Sequence, residues 1–198
     1  MQIIKEDIFP HIKDYDVILI GTNTYCTLAQ GFQRDIMLHY PKVQEDNMRT
    51  RYGDKNKLGT ILQSETDGVI FVLCFICEGN FRPDLKKDYL NLDALRKCLS
   101  LCNILFSDKK IGMTVMGASR FDGNGDKDAI MNIIKDTIGN CNVDVYDYHQ
   151  LSKEEKKKLI RSKELEVKKK DISAYYKMVA ERKERENKIK EINGHTKT

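Results

Sequence analysis

Proline is scarce, three in 198 residues, and no internal repeat or low-complexity tract is evident, so nothing marks the chain as fibrous or disordered. No uninterrupted apolar run approaches the roughly 20 residues that a membrane-spanning helix needs. No membrane partner is expected. The opening Met1-Gln2-Ile3-Ile4-Lys5-Glu6-Asp7 lacks the basic segment, apolar stretch and small-residue cleavage site of a secretory leader. The expectation is a cytoplasmic protein, or one of a host's cytoplasm if the source is viral.

Six cysteines are present, and without a leader they are expected in a reducing compartment that keeps thiols free. Cys74 and Cys77, followed by Cys98 and Cys102, invite a zinc reading. However, Cys74 lies in the apolar run Val69 to Ile76, where residues three apart on a strand point to opposite faces. The pair converges only if the strand ends between them, so core packing is expected instead and no metal is assigned.

The net charge of +4 hides an asymmetry. Residues 151–198 carry 16 Lys and Arg against 9 Asp and Glu, leaving residues 1–150 with 18 against 21. This divides the chain into a slightly acidic body, 1–150, of the size of one domain, and a basic tail, 151–198. The tail has no Pro and no Gly until Gly194, and its interspersed charges predict a helical extension with an exposed face.

Within the body, Gln2–Ile4 and Val17–Ile20 read as short strands, the second running into the loop chemistry of Gly21-Thr22-Asn23-Thr24. From Gln33, the residues Ile36, Met37 and Tyr40 recur at helical spacing until Pro41, which is expected to stop the helix. Gly59–Gln63 and Val69–Ile76 read as strands joined by a tight turn, the second buried on both faces and central. Leu95, Cys98, Leu99, Cys102 and Leu105 line one face of a helix. Lys110–Val115 is a predicted strand, Gly117–Asp126 a glycine-bearing loop, Lys127–Ile138 a helix and Val143–Tyr148 a closing strand. Strands alternating with helices predict an α/β fold of three layers, α/β/α, around a mixed, largely parallel sheet. Ligands of such sheets bind beyond the carboxyl ends of the strands, which directs attention to the loops after Ile20, Ile76 and Met116.

Ile3-Ile4-Lys5-Glu6-Asp7-Ile8 and Val17 through Asn23, then Thr24 through Gln33 ending at Tyr40-Pro41, then Met116-Gly117-Ala118-Ser119-Arg120-Phe121-Asp122-Gly123, follow one another in an order and spacing that resembles the macrodomain family. The resemblance spans about 145 residues, within the usual size of one domain. It implies binding of ADP-ribose or a related nucleotide, without a cofactor. Gly31 and Gly117 stand at strand-to-helix junctions, where a missing Cβ lets backbone N–H groups approach a pyrophosphate and a following helix N-terminus favours its charge. The resemblance places Ala29, Gln30, Gly31 and Phe32 in one phosphate loop, and Gly117, Ala118, Ser119, Arg120 and Phe121 in the other. Asp7 would accept from the adenine amino group, Ile8 would flank the base, and Tyr146 or Tyr148 would close that pocket. Asn23 matches the family residue that approaches the distal ribose, although a loop Asn equally well bonds its own backbone. Asp7 could likewise be an N-cap.

Departures from the family pattern are as informative. Gly21-Thr22-Asn23 keeps one asparagine where two are frequent, and Ala29-Gln30-Gly31 keeps one glycine where three are. Hydrolases of the DNA- and carboxylate-directed branch carry a lysine nucleophile after the strand equivalent to Val69–Phe75. Here the sequence is Phe75-Ile76-Cys77-Glu78, so a lysyl covalent route is not expected. Asp122 is left as a candidate general base beside Asn23. The run Asp122–Asp128 fails as a calcium loop because Lys127 stands where Gly is required and Ile133 where a bidentate Glu is. Three functions follow as expectations: a binder of ADP-ribose or a relative, a hydrolase removing ADP-ribose from a modified protein or nucleic acid, or a scaffold whose basic tail makes the contact.

Overall fold

The apolar run from Val69 folds as the strand its composition predicts, with eight of its nine residues buried, and it anchors the sheet. The computed structural model describes residues 1–28, 31–78, 89–119 and 123–148, together with residues 154, 155, 157 and 158. Two units divide the chain, Met1–Leu151 and Ser152–Thr198. Of the second unit only the four residues just named are described, as helical and exposed; the remainder of the basic tail lies outside the described residues.

Six strands, β1 (Gln2–Ile4), β2 (Val17–Asn23), β3 (Ile61–Thr66), β4 (Val69–Cys77), β5 (Ile111–Thr114) and β6 (Val143–Tyr146), form one sheet in the order β1-β6-β5-β2-β4-β3. All neighbours are parallel except the hairpin β3–β4. The sheet is thus mixed and mostly parallel, as alternation of strands and helices predicted. The hairpin turns on Asp67 and Gly68, with φ of 55° and 77°, the two left-handed residues that match the twist of paired strands. β4 lies between β2 and β3, one strand in from the edge, while β2 and β5 hold the middle.

Four helices accompany the sheet: α1 (Gly31–His39), α2 (Pro41–Met48), α3 (Leu92–Leu105) and α4 (Lys127–Ile138). Val17, Leu19, Val72, Cys74, Met113 and Val145 join Leu95, Leu99, Ile130 and Ile134 in one buried cluster, so α3 and α4 cover that face. On the other face Phe71 meets Tyr40, the residue between α1 and α2, at a ring separation of 4.7 Å. Gly112 lets Tyr15 lie against this face, since a Cβ there would come within 2.9 Å of the ring.

Side-chain caps set two helix starts. Asn91 accepts from the Ala94 N–H at 2.8 Å and Asp126 from the Ala129 N–H at 2.7 Å, each satisfying a donor the first turn leaves unpaired. Pro41 differs from expectation. It ends α1 but opens α2 at the first helical position, where a missing N–H costs nothing and φ is already helical. Two 3-10 segments, Phe9–Asp14 and Lys55–Lys57, were not anticipated. Among the described residues, no helix is long and apolar enough to cross a membrane.

Candidate functional site

Because β2 and β5 are paired in parallel, the segments leaving their carboxyl ends emerge side by side. The segment after β2 is tied by side chains. Asn23 donates from Nδ2 to the Thr27 carbonyl at 3.0 Å, and its Oδ1 accepts from the Tyr25 and Thr27 N–H groups at 3.0 and 3.4 Å. Thr24 donates its hydroxyl to the Glu78 carbonyl after β4. Gln33, buried in α1, donates to the Gly21 carbonyl at 2.6 Å, and Gln44 of α2 donates to the Cys26 carbonyl at 2.9 Å.

The segment after β5 is shaped by glycines around one leucine. Gly117 has φ of 81°, and a Cβ on it would stand 2.7 Å from the Leu90 side chain. Gly123, at φ 147°, packs on the Gly117 carbonyl, where a Cβ would come within 2.7 Å. The Gly125 N–H donates to the Gly117 carbonyl at 2.9 Å, and the Tyr89 and Leu90 N–H groups donate to the Gly123 carbonyl at 2.7 and 3.2 Å. Leu90 thus wedges the segment after β4 beneath the turn.

The expected residues fall as follows. Gly31 opens α1 at φ 53° with no atom within 4 Å of a Cβ position, and Phe32 is half-buried behind it. Ala118 and Ser119 are half-buried beside Gly117. Ala29, Gln30, Arg120, Phe121 and Asp122 lie outside the described residues. Asp7 is half-buried, accepting from the Phe9 N–H at 3.3 Å at the mouth of the first 3-10 segment, and Ile8 beside it is 1% exposed. Asn23 spends the bonds just given on its own loop.

Tyr146 sits inside rather than at the surface, 4% exposed. Its hydroxyl shares a 2.9 Å hydrogen bond with Tyr15, which donates to Asp144 at 3.0 Å, and its ring stacks on His11 at 5.8 Å. Burial pushes both tyrosines' pKa values up, reinforced at Tyr15 by the Tyr146 and Asp144 hydrogen bonds. Tyr148 is half-buried.

Glu78 pairs its carboxylate with Lys55 Nζ at 2.9 Å; that contact raises the Lys55 pKa. At the first residue of α4, Lys127 pairs with the buried carboxylate of Asp147, which follows β6. Sequence reasoning did not single out Gln33, Gln44, Leu90 or Asp147, whose roles depend on contacts across the fold. Cys74 meets Cys102 and Cys98, and these contacts together with burial push its pKa well up. Among the described residues no group of three or more His, Cys, Asp or Glu side chains is placed to hold a metal ion.

Set against solved structures, the chain is similar over 74% of its length to a protein of unknown function from Bacteroides thetaiotaomicron, covering 96% of that chain at 20% identity with a TM-score of 0.61. It matches the macrodomain of Thermus aquaticus DarG over 74% of this chain and 96% of that one, at 11% identity and a TM-score of 0.54. Thermosipho africanus DarTG, solved in complex with ADP-ribose, matches over 73% of this chain and 40% of that one, at 11% identity and a TM-score of 0.58. The fold is that of a macrodomain. No family model matches the chain, and no curated protein does. The order of strands and loops read from the sequence is therefore that of the macrodomain fold, at identities where few side chains are shared.

Proposed function

We propose that this macrodomain binds ADP-ribose or a related ADP-ribose-containing nucleotide between the segment after β2 and the segment after β5. The observation that carries the reading is the pair of left-handed glycines, Gly31 and Gly117, at φ 53° and 81°, on the segments leaving adjacent parallel strands. Backbone N–H groups at such glycines can approach a diphosphate without a Cβ between them, and Gly31 opens a helix whose N-terminus favours the charge. The diphosphate would rest against Ala29 to Phe32 on one side and Gly117 to Phe121 on the other. The ADP-ribose held by the Thermosipho africanus protein of similar fold supports the same class of ligand here.

In this reading Asp7 accepts from the adenine amino group and Ile8 backs the base, while Tyr146 supports the pocket from within through His11. A binder is favoured over a hydrolase because the Asn23 side chain is engaged three times by its own loop and Glu78 replaces the nucleophilic lysine. The three-layer arrangement around the sheet is the frame for this cleft, and the targets it would serve are ADP-ribosylated proteins or nucleic acids. ADP-ribose should raise the melting temperature, because a ligand that binds only the native state must stabilise it. Asp7→Ala should weaken ADP-ribose by about ten- to a hundredfold, the roughly 1.5–3 kcal/mol of a hydrogen bond to a charged acceptor, and leave ribose 5-phosphate unaffected. No shift with ADP-ribose would count against the binder.

A further inference from the structure

Behind the segment after β2, three side chains from separate stretches of chain close a triangle. Cys26 Sγ lies 3.2 Å from Lys57 Nζ and 3.2 Å from Thr50 Oγ1, and Lys57 donates to Thr50 at 3.0 Å. Each corner is fixed from outside the triangle. The Cys26 carbonyl accepts from Gln44 at 2.9 Å, Thr50 donates to the Asn47 carbonyl at 2.7 Å, and the Lys57 ammonium rests over the Phe75 ring at 4.7 Å. The nitrogen and sulfur are thus held within the roughly 3–3.5 Å separation of a near-attack pair, without needing a movement of the backbone. The other thiols whose contacts are known face different groups: Cys98 the Thr60 carbonyl, Cys141 the Asn103 side chain, and Cys74 its fellow cysteines.

We infer that Cys26 and Lys57 form an oxidative cross-linking site that takes a small hydroperoxide. With hydrogen peroxide, the thiol gives up its proton and its sulfur attacks one peroxide oxygen, giving up two electrons; the O–O bond breaks, the departing oxygen takes that proton and leaves as water, and the other stays as the S–OH of a sulfenic acid. The thiolate is the attacking form at sulfur. Lys57 then gives one proton to the departing hydroxyl, which leaves as water, while the Nζ lone pair bonds to sulfur; a second proton goes to solvent. The product is a Cys26–Lys57 sulfur–nitrogen bond joining the segment after β2 to the segment that precedes β3. Cys26 is only 4% exposed, which admits a molecule the size of hydrogen peroxide more readily than a bulky disulfide. Thiols restore both residues by attacking the same sulfur.

The test is peptide mapping of the full-length protein after treatment with hydrogen peroxide, before and after reduction with dithiothreitol. The expected product is a peptide pair joined at Cys26 and Lys57, lighter than the sum of its parts by about 2 Da for the two hydrogens lost, and absent after reduction. Mapping is required because a disulfide between Cys74 and Cys98 or Cys102 would change the intact mass equally. Lys57→Arg keeps the positive charge but should leave Cys26 as a sulfenic acid that dimedone traps, and Cys26→Ser should abolish the joined pair. Cys26 recovered only as thiol, sulfinic acid or a disulfide in the oxidised parent would overturn the inference, as would a link that retains the oxygen.

Discussion

The two segments proposed to flank the ligand are built by opposite means. After β2 the chain is held by polar side chains reaching to backbone carbonyls and N–H groups: Asn23, Thr24, Gln33 and Gln44. After β5 it is held by close packing, with Gly117 and Gly125 where Leu90 leaves no room for a side chain and Gly123 pressed on the Gly117 backbone. Polar ties cost individual hydrogen bonds when broken, whereas a packed turn fails by overlap. The second segment should therefore be brittle and the first gradually weakened.

Gly117→Val sets the scale. It forces a β-branched residue to φ 81° with its Cβ at 2.7 Å from Leu90, and overpacking together with left-handed strain should cost about 3 kcal/mol, read from denaturant unfolding. Gly31→Ala meets open space at φ 53° and should lose only about 1 kcal/mol from backbone strain. Equal losses at the two glycines would erase the contrast.

Within the polar segment, Gln33→Leu leaves the Gly21 carbonyl without its side-chain donor in a buried setting and should cost about 2 kcal/mol in the same assay. Asn23→Ala removes three local bonds from a half-buried loop and should cost about 1 kcal/mol, while Asn23→Asp, which keeps the acceptor, should lose less. If Asn23→Ala left stability unchanged, the loop would not depend on its ties.

The smallest effect concerns α2, which backs the polar segment. Asp46 accepts from Lys42 at 2.6 Å and from Ser64 of β3 at 2.7 Å. These hydrogen bonds, Lys42's first, hold its pKa below the ordinary 3.8. A depressed carboxylate contributes stability above its unfolded pKa and loses it as pH falls through the folded value. Asp46→Asn should therefore flatten the decline in melting temperature below about pH 4. An unchanged acid limb would show that Asp46 is not among the groups that set it.

The contrast also explains what could be read from the sequence. Strands β2 and β4 announce themselves as apolar runs, because that signal is local. Gly117 stood out for the same reason. Leu90, only a helix leader by its neighbours, gained its place under the turn from packing across the chain. Gln33 sat on a helical face with nothing to mark it as buried, and nothing local to Asn23 told which backbone groups of its loop it would bond. Pro41 signalled a stop correctly, yet the same restricted φ also starts α2. Tyr146 lay on the expected strand, but its hydroxyl is claimed by Tyr15, 131 residues earlier, a pairing no local pattern carries.

Titration calorimetry of ADP-ribose into the parent protein and into Gly31→Glu tests the proposed cleft most directly. Gly31 faces open space, so the substitution should leave the chain folded by circular dichroism while placing a carboxylate where the diphosphate is proposed to lie. The account predicts measurable binding by the parent and a loss of at least about tenfold, or roughly 1.4 kcal/mol, in the folded variant. Binding of equal strength by the two proteins would contradict it.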